Sequence, residues 1–175
     1  MRRFIDICEQ MDSDDEQGPL LRALDRWGAG WAGDEWGTST LHAEMLRHRD
    51  AAREWSRPDD APFLYRGICL AKTQMHALVR YGRFEIVTPA DRPLASWSST
   101  QQGAEDYMAG FASPWVIFRK PTASLNIFIN YHEAYFDLRA ERAPFDEIIV
   151  EMPHRMVVGQ EDIVVSENFR NKAPT

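Results

Sequence analysis

The chain has 175 residues, 44% of them hydrophobic, enough for one well-buried core and too few for two. Its formal net charge of −7 argues against a protein that tracks nucleic-acid phosphates, which presents a basic face, and no apolar run reaches the length of a membrane span. Two cysteines, Cys8 and Cys69, are too few for a disulfide scaffold and lack a zinc-binding spacing, which fits a reducing cytoplasm.

Met1-Arg2-Arg3 opens the chain, but the apolar run behind it is broken by Asp6 and gives way to Asp12-Ser13-Asp14-Asp15-Glu16, which is no secretion signal. Pro19 to Trp27 has a helical period, with Leu20, Leu21, Leu24 and Trp27 on one side and Gly28 as the stop. Trp31 and Trp36 follow in a loop of glycines and acids. A second helix is predicted from about Ser39 to Trp55, capped by Thr38 or Ser39, with Leu41, Met45, Ala52 and Trp55 inward. Ser56 to Pro62 is a turn-rich break. Residues 1–61 hold too little core to stand alone and read as a helical N-terminal part of a single domain.

Beyond the break, short strands dominate. Phe63 to Leu70 reads as a strand, Thr73 to Tyr81 as a helix ended by Gly82, and Phe84 to Val87 as a strand. Leu94 to Ser98 alternates, placing Leu94, Ser96 and Ser98 on one face and Ala95 and Trp97 on the other. Ser99 and Gln102 then make a capping box for a helix carrying Ala104, Tyr107, Met108 and Phe111 at helical spacing. Strands are predicted at Trp115 to Phe118, Leu125 to Ile129, Glu147 to Met152, Arg155 to Val158 and Ile163 to Val165, with an irregular stretch from Tyr131 to Pro144. The pattern predicts an α+β fold with a largely antiparallel core.

Three features of this strand-rich part suggest chemistry. Arg66 lies inside an otherwise apolar strand, where a guanidinium needs a carboxylate or phosphate partner. Gly67 allows a backbone or a flat ring to approach closely. Ser96 and Ser98 end a second strand, although a serine-rich strand-to-helix turn is also an ordinary cap. Glu147 begins a third strand and shares its face with Ile149 and Glu151, while Ile148, Val150 and Met152 take the core face. His132-Glu133 and His42-Ala43-Glu44 do not form a metal-binding helix motif, and there is no phosphate loop or nucleophile elbow.

The order Arg66, Ser96-Trp97-Ser98, Glu147 on three separate strands resembles the R-S-E pattern of mono-ADP-ribosyltransferases of the cholera-toxin group. Leu64-Tyr65-Arg66-Gly67-Ile68, Leu94-Ala95-Ser96-Trp97-Ser98 and Asp146-Glu147-Ile148-Ile149-Val150 are similar to that family's three motifs, and the likeness covers residues 62–166. It implies a split, mainly antiparallel NAD-binding core over those residues, with NAD⁺ as cosubstrate and no metal. It further implies that Glu147, Ser96 and Arg66 are catalytic, Glu147 facing an oxocarbenium-like transition state. Arg66, Gly67, Ser96, Trp97, Ser98, Tyr107 and Phe111 are the implied NAD-binding residues: Arg66 on the diphosphate and ribose side, Gly67 on the nicotinamide amide, Ser96 positioning Glu147. Tyr107 and Phe111 are candidates to stack on nicotinamide, though both also lie on the helix's apolar stripe, where a core role competes.

One position departs from the family. Two residues before the glutamate, where members carry Glu or Gln, stands Phe145, so the pattern assigns no acceptor residue; Asp146 and Glu141 are the nearby acids. The expected partner is a macromolecular acceptor, a host or target protein, with no membrane and no stable nucleic-acid binding, in the setting of a phage enzyme, an effector or an intracellular toxin. Three alternatives stay open: an NAD glycohydrolase in which water replaces the acceptor, a non-catalytic acidic interaction protein on the same scaffold, and a structural domain in which Arg66 and Glu147 merely form a buried ion pair.

Overall fold

Runs rich in Ile, Val, Phe and Trp, which suit a pleated and half-buried surface, form eight strands in the computed structural model, which describes residues 23, 24, 27, 38–50, 52, 61–131 and 146–167. The strands are β1 (Phe63–Cys69), β2 (Arg83–Val87), β3 (Leu94–Ser98), β4 (Trp115–Pro121), β5 (Asn126–Ile129), β6 (Glu147–Glu151), β7 (Arg155–Gly159) and β8 (Ile163–Glu167). Three helices, α1 (Thr38–Arg47), α2 (Lys72–Tyr81) and α3 (Gln101–Met108), precede and separate them. Ala23, Leu24 and Trp27 also have helical backbone. Six strands form one sheet in the order β5-β6-β3-β1-β4-β8, and β2 pairs with β7 in a second. Every described pair is antiparallel, so the chain has an α+β fold.

The large sheet is unevenly joined. β1 and β4 pair along their whole length, from Phe63 opposite Pro121 to Cys69 opposite Trp115. β3 and β6 pair from Leu94 opposite Glu151 to Ser98 opposite Glu147. Between these two ladders, β1 and β3 share one register pair, Tyr65 with Ser98. Past that pair the two strands no longer satisfy each other's backbone groups, and side chains must do so.

One face of the sheet is covered continuously. Leu64, Ala95, Trp97, Val116, Phe118, Ile148 and Val150 pack there against Phe84, Met156 and Val158 of the small sheet and against Met75 and Leu78 of α2. The other face is covered in two pieces. Ala104 and Met108 of α3 bury Trp115 and Ile117, while Ala23, Leu24, Trp27, Leu41, Met45 and Ala52 bury Leu94, Phe128, Ile129 and Ile149. Strand alternation puts Ser96, Ser98 and Glu147 on this second face, between the two covers.

Several local expectations are corrected by tertiary contacts. β6 is buried on both faces, because Ile149, expected opposite the core, is fully covered by the N-terminal helical residues. The cap of α3 is Thr100, whose Oγ1 accepts from the Gly103 amide at 3.1 Å, in place of Ser99. Ser99 is instead tied to the Asp146 carbonyl (3.2 Å), and Ser98 Oγ accepts from the Thr100 amide (3.1 Å), which moves the turn on by one residue. α1 ends at Arg47, with a turn at His48 before further helical residues; Leu41, Met45 and Ala52 are buried. α2 stops at Gly82, whose φ of 66° is the left-handed conformation that glycine adopts without steric cost. The expectations for Leu20, Leu21, Trp31, Trp36, Trp55, Glu141 and Phe145 lie outside the described residues, as does nearly all of the irregular stretch after Tyr131. Among the described residues no helix is long and apolar enough to cross a membrane, and no group of His, Cys, Asp or Glu has the arrangement of a metal site.

Candidate active site

The site is built at the seam where β1 leaves β3. Arg66 is the first residue of β1 beyond the shared pair, and its Nη1 donates to the Ser96 carbonyl at 2.9 Å. The guanidinium thus takes over a carbonyl in the gap between the strands. Ser96 turns its hydroxyl the other way, donating to Oε1 of Glu147 on the neighbouring strand. Arg66, Ser96 and Glu147 are therefore linked through Ser96, by its backbone on one side and its side chain on the other.

A third contact comes from a residue that sequence reasoning placed only in the core. Trp27, 5% exposed, donates its indole N–H to Glu147 Oε1 at 2.7 Å. The available signal was a Trp on the inward stripe of a helix: a buried indole N–H needs an acceptor, and strand acids are candidates. The Trp27 ring stands edge-on to His42, with centroids 5.6 Å apart and planes at 67°. His42 in turn accepts the Leu94 amide on Nδ1 at 3.0 Å, so the same helical part also holds the start of β3.

The electrostatics separate the two charged groups. Burial pushes the Glu147 carboxyl above the ordinary carboxylate range, while hydrogen bonds from Ser96 and then Trp27 pull it back. Burial lowers Arg66 to about 10, opposed by the nearby Tyr107 phenol, so the guanidinium stays charged at neutral pH. Arg66 Nε is sealed from water without a hydrogen-bond partner. No ion pair links Arg66 to Glu147 or to another carboxylate among the described residues. This removes the reading in which the two residues are a structural salt bridge. A half-buried cation with no counter-ion among the described residues is costly, and such sites concentrate where a ligand supplies the missing charge.

The remaining candidates divide. Trp97 points to the continuous core, 2% exposed, with its N–H toward Met152 Sδ at 3.4 Å and its ring edge-on to Phe118 at 5.3 Å. It is thus on the opposite face of β3 from Ser96. Ser98 is buried at the α3 turn, beneath Gly103. Gly67 is a packing glycine: a Cβ there would lie 2.1 Å from Met108 Cγ, so its bareness lets α3 settle on β1. Tyr107 and Phe111 are not on the buried stripe. They are exposed, 58% and 44%, with ring centroids 5.6 Å apart. An eight-residue helix buries only Ala104 and Met108, and Phe111 lies beyond its end. Asp146 receives the Thr100 hydroxyl at 3.2 Å, which anchors the α3 turn.

A carboxylate, a serine that holds it, and an uncompensated guanidinium at one seam can bind an anionic ligand and face a developing positive charge. Comparison with models of known families, with curated proteins and with solved structures yields no match for this chain.

Proposed function

We propose that the chain is a mono-ADP-ribosyltransferase that cleaves the nicotinamide–ribose bond of NAD⁺ and passes ADP-ribose to a protein. The observation that carries this reading is the linkage of Arg66, Ser96 and Glu147 at the seam of the sheet, with the guanidinium lacking a carboxylate partner among the described residues. The single-pair joint between the two ladders supports reading residues 62–166 as the split NAD-binding core of that family.

The chemistry assigns each group a task. The diphosphate of NAD⁺ supplies the negative charge that Arg66 lacks, through charge-assisted hydrogen bonds. As the bond between ribose C1′ and the nicotinamide nitrogen breaks, its electron pair leaves with nicotinamide, which becomes neutral, and C1′ becomes cationic. The Glu147 carboxylate accepts a ribose hydroxyl and offsets that charge. Ser96 keeps the carboxylate in place. The acceptor's lone pair then closes on C1′ and its proton is released. Tyr107, exposed near Arg66, and Phe111, packed on its ring, offer flat faces for the nicotinamide ring. A second reading, hydrolysis of NAD⁺ by water, is favoured by Phe145, which supplies neither acid nor amide at the position that otherwise serves the acceptor.

Nicotinamide release from NAD⁺ by the purified chain, with and without cell lysate and beside Glu147→Gln, tests the proposal. Release that depends on lysate and disappears in the variant is expected for the transferase. Release without lysate identifies the glycohydrolase, and no release under either condition from a folded protein removes both.

A further inference from the structure

Glu147 Oε1 receives two donors, the Ser96 hydroxyl and the Trp27 indole, whereas Oε2 has no hydrogen bond among the described residues. The two donors come from different parts of the chain. Ser96 is on the neighbouring strand, and Trp27 belongs to the helical residues that cover β5, β6 and the start of β3. We propose that Trp27 is a positioning residue for Glu147: its N–H, with the Ser96 hydroxyl, saturates Oε1 and leaves Oε2 as the oxygen that meets the substrate.

Three features support this. A glutamate carboxylate turns about several side-chain bonds, so two fixed contacts are needed to present a chosen oxygen, and donors from two separate parts of the chain provide them. The indole is itself fixed, since it is buried and braced edge-on by His42, which is bonded to the Leu94 amide two residues before Ser96. Both donors are neutral, so they orient the carboxylate without cancelling the charge that a cationic sugar carbon requires. The N-terminal helical part is then a wall of the site and more than a lid over apolar strands.

The catalytic half of this inference rests on the reading of Glu147 given above; the structural half does not, and the test separates them. In Trp27→Phe, which keeps an aromatic ring and removes the N–H, the Glu147 carboxyl is followed by carbon-detected NMR titration, alongside nicotinamide release. Losing a donor that favours the charged form should move the carboxyl titration to higher pH. It should also lower kcat about tenfold with KM for NAD⁺ little changed, and shift the acid limb of the rate profile the same way as the carboxyl. A merely structural Trp27 would leave the titration and that limb unmoved in folded protein, and this result overturns the proposal. If Trp27→Phe does not fold, benzothienylalanine at position 27, with sulfur in place of the N–H, keeps the shape and gives the same readouts. A shifted carboxyl in a protein whose wild type releases no nicotinamide upholds the hold on Glu147 and overturns its catalytic reading.

Discussion

The two ends of β6 carry the same side chain in different company. Glu147 and Glu151 share one strand face, and both are reached by residues of the N-terminal helical part. At Glu151 the visitor is a cation: Arg49 Nη2 lies 2.6 Å from Oε1, and the Asn126 amide donates to Oε2 at 2.9 Å. At Glu147 the visitors are an indole and a hydroxyl, and Arg66, linked to the site through Ser96, spends a hydrogen bond on a carbonyl instead. A charge met by an opposite charge is finished as structure. One held only by neutral donors keeps its field for a ligand, at a cost in stability.

Exchanging each acid for its amide gives the largest contrast. Glu147→Gln should lower nicotinamide release at least about a hundredfold, while its melting temperature stays level or rises. The amide oxygen still accepts from Ser96 and Trp27, and a half-buried charge with no cation beside it among the described residues is removed. Glu151→Gln should retain activity and lose about 1–2 kcal/mol, because it strands a half-buried Arg49. Rates and thermal melts of the two variants check this, and a Glu147→Gln that destabilises like Glu151→Gln would erase the distinction.

The cations sharpen the same comparison. Arg66→Gln should raise KM for NAD⁺ about 10–100-fold through lost charge-assisted bonds and cost no more than about 1 kcal/mol, since the lost bond to the Ser96 carbonyl is offset by removal of an unpartnered Nε and an unbalanced charge. Arg49→Gln should leave KM unchanged and weaken the fold. Steady-state kinetics with urea titrations distinguishes them.

Acid should separate the two sides by the sign of their response. His42 is held down to about 4 from its ordinary 6.5, by burial first and then by the charge of Arg92, against Asp91. The unfolded chain therefore takes up this proton at higher pH than the folded one. Stability from His42 is complete above about pH 6.5 and is lost as pH falls toward 4, by about 3 kcal/mol. Glu147 acts oppositely: its raised carboxyl binds a proton more readily in the folded state, so it adds stability as pH falls. Urea melts from pH 7 to 4.5 should show a steeper acid loss in Glu147→Gln than in wild type, and a shallower one in His42→Gln.

How much of this was legible in the sequence depends on where each cause lies. The strands and α2 follow from local period and from Gly82, because alternation and a left-handed stop act within a few residues. The meeting of Arg66, Ser96 and Glu147 is legible in outline, since a charge inside an apolar strand demands a partner. Its detail is not: the guanidinium takes a carbonyl at the seam, which depends on β1 and β3 parting after one pair. Trp27 reads as core from its stripe, and only the folded chain brings its N–H to an acid 120 residues away. The cap shift from Ser99 to Thr100 has the same origin, a long-range bond from Ser99 to Asp146 overriding the local box.

The smallest expected effect concerns the exposed pair on the other side of the seam. Tyr107 and Met108 are neighbours in α3, yet one is 58% exposed and the other 1%. Helical spacing assigns both to one stripe, and burial separates them. Met108→Ala should cost about 2–5 kcal/mol, since the side chain fills the space over Gly67 between α3 and β1. Tyr107→Ala with Phe111→Ala should cost only about 0.5–1 kcal/mol, because both rings keep much of their surface in water. If the rings stack on nicotinamide, KM for NAD⁺ should rise about two- to tenfold in the double variant with kcat nearly unchanged. Melts and KM measured together decide it. A stability loss near that of Met108→Ala would return the rings to the core, and an unchanged KM would leave them as surface aromatics with no part in NAD⁺ binding.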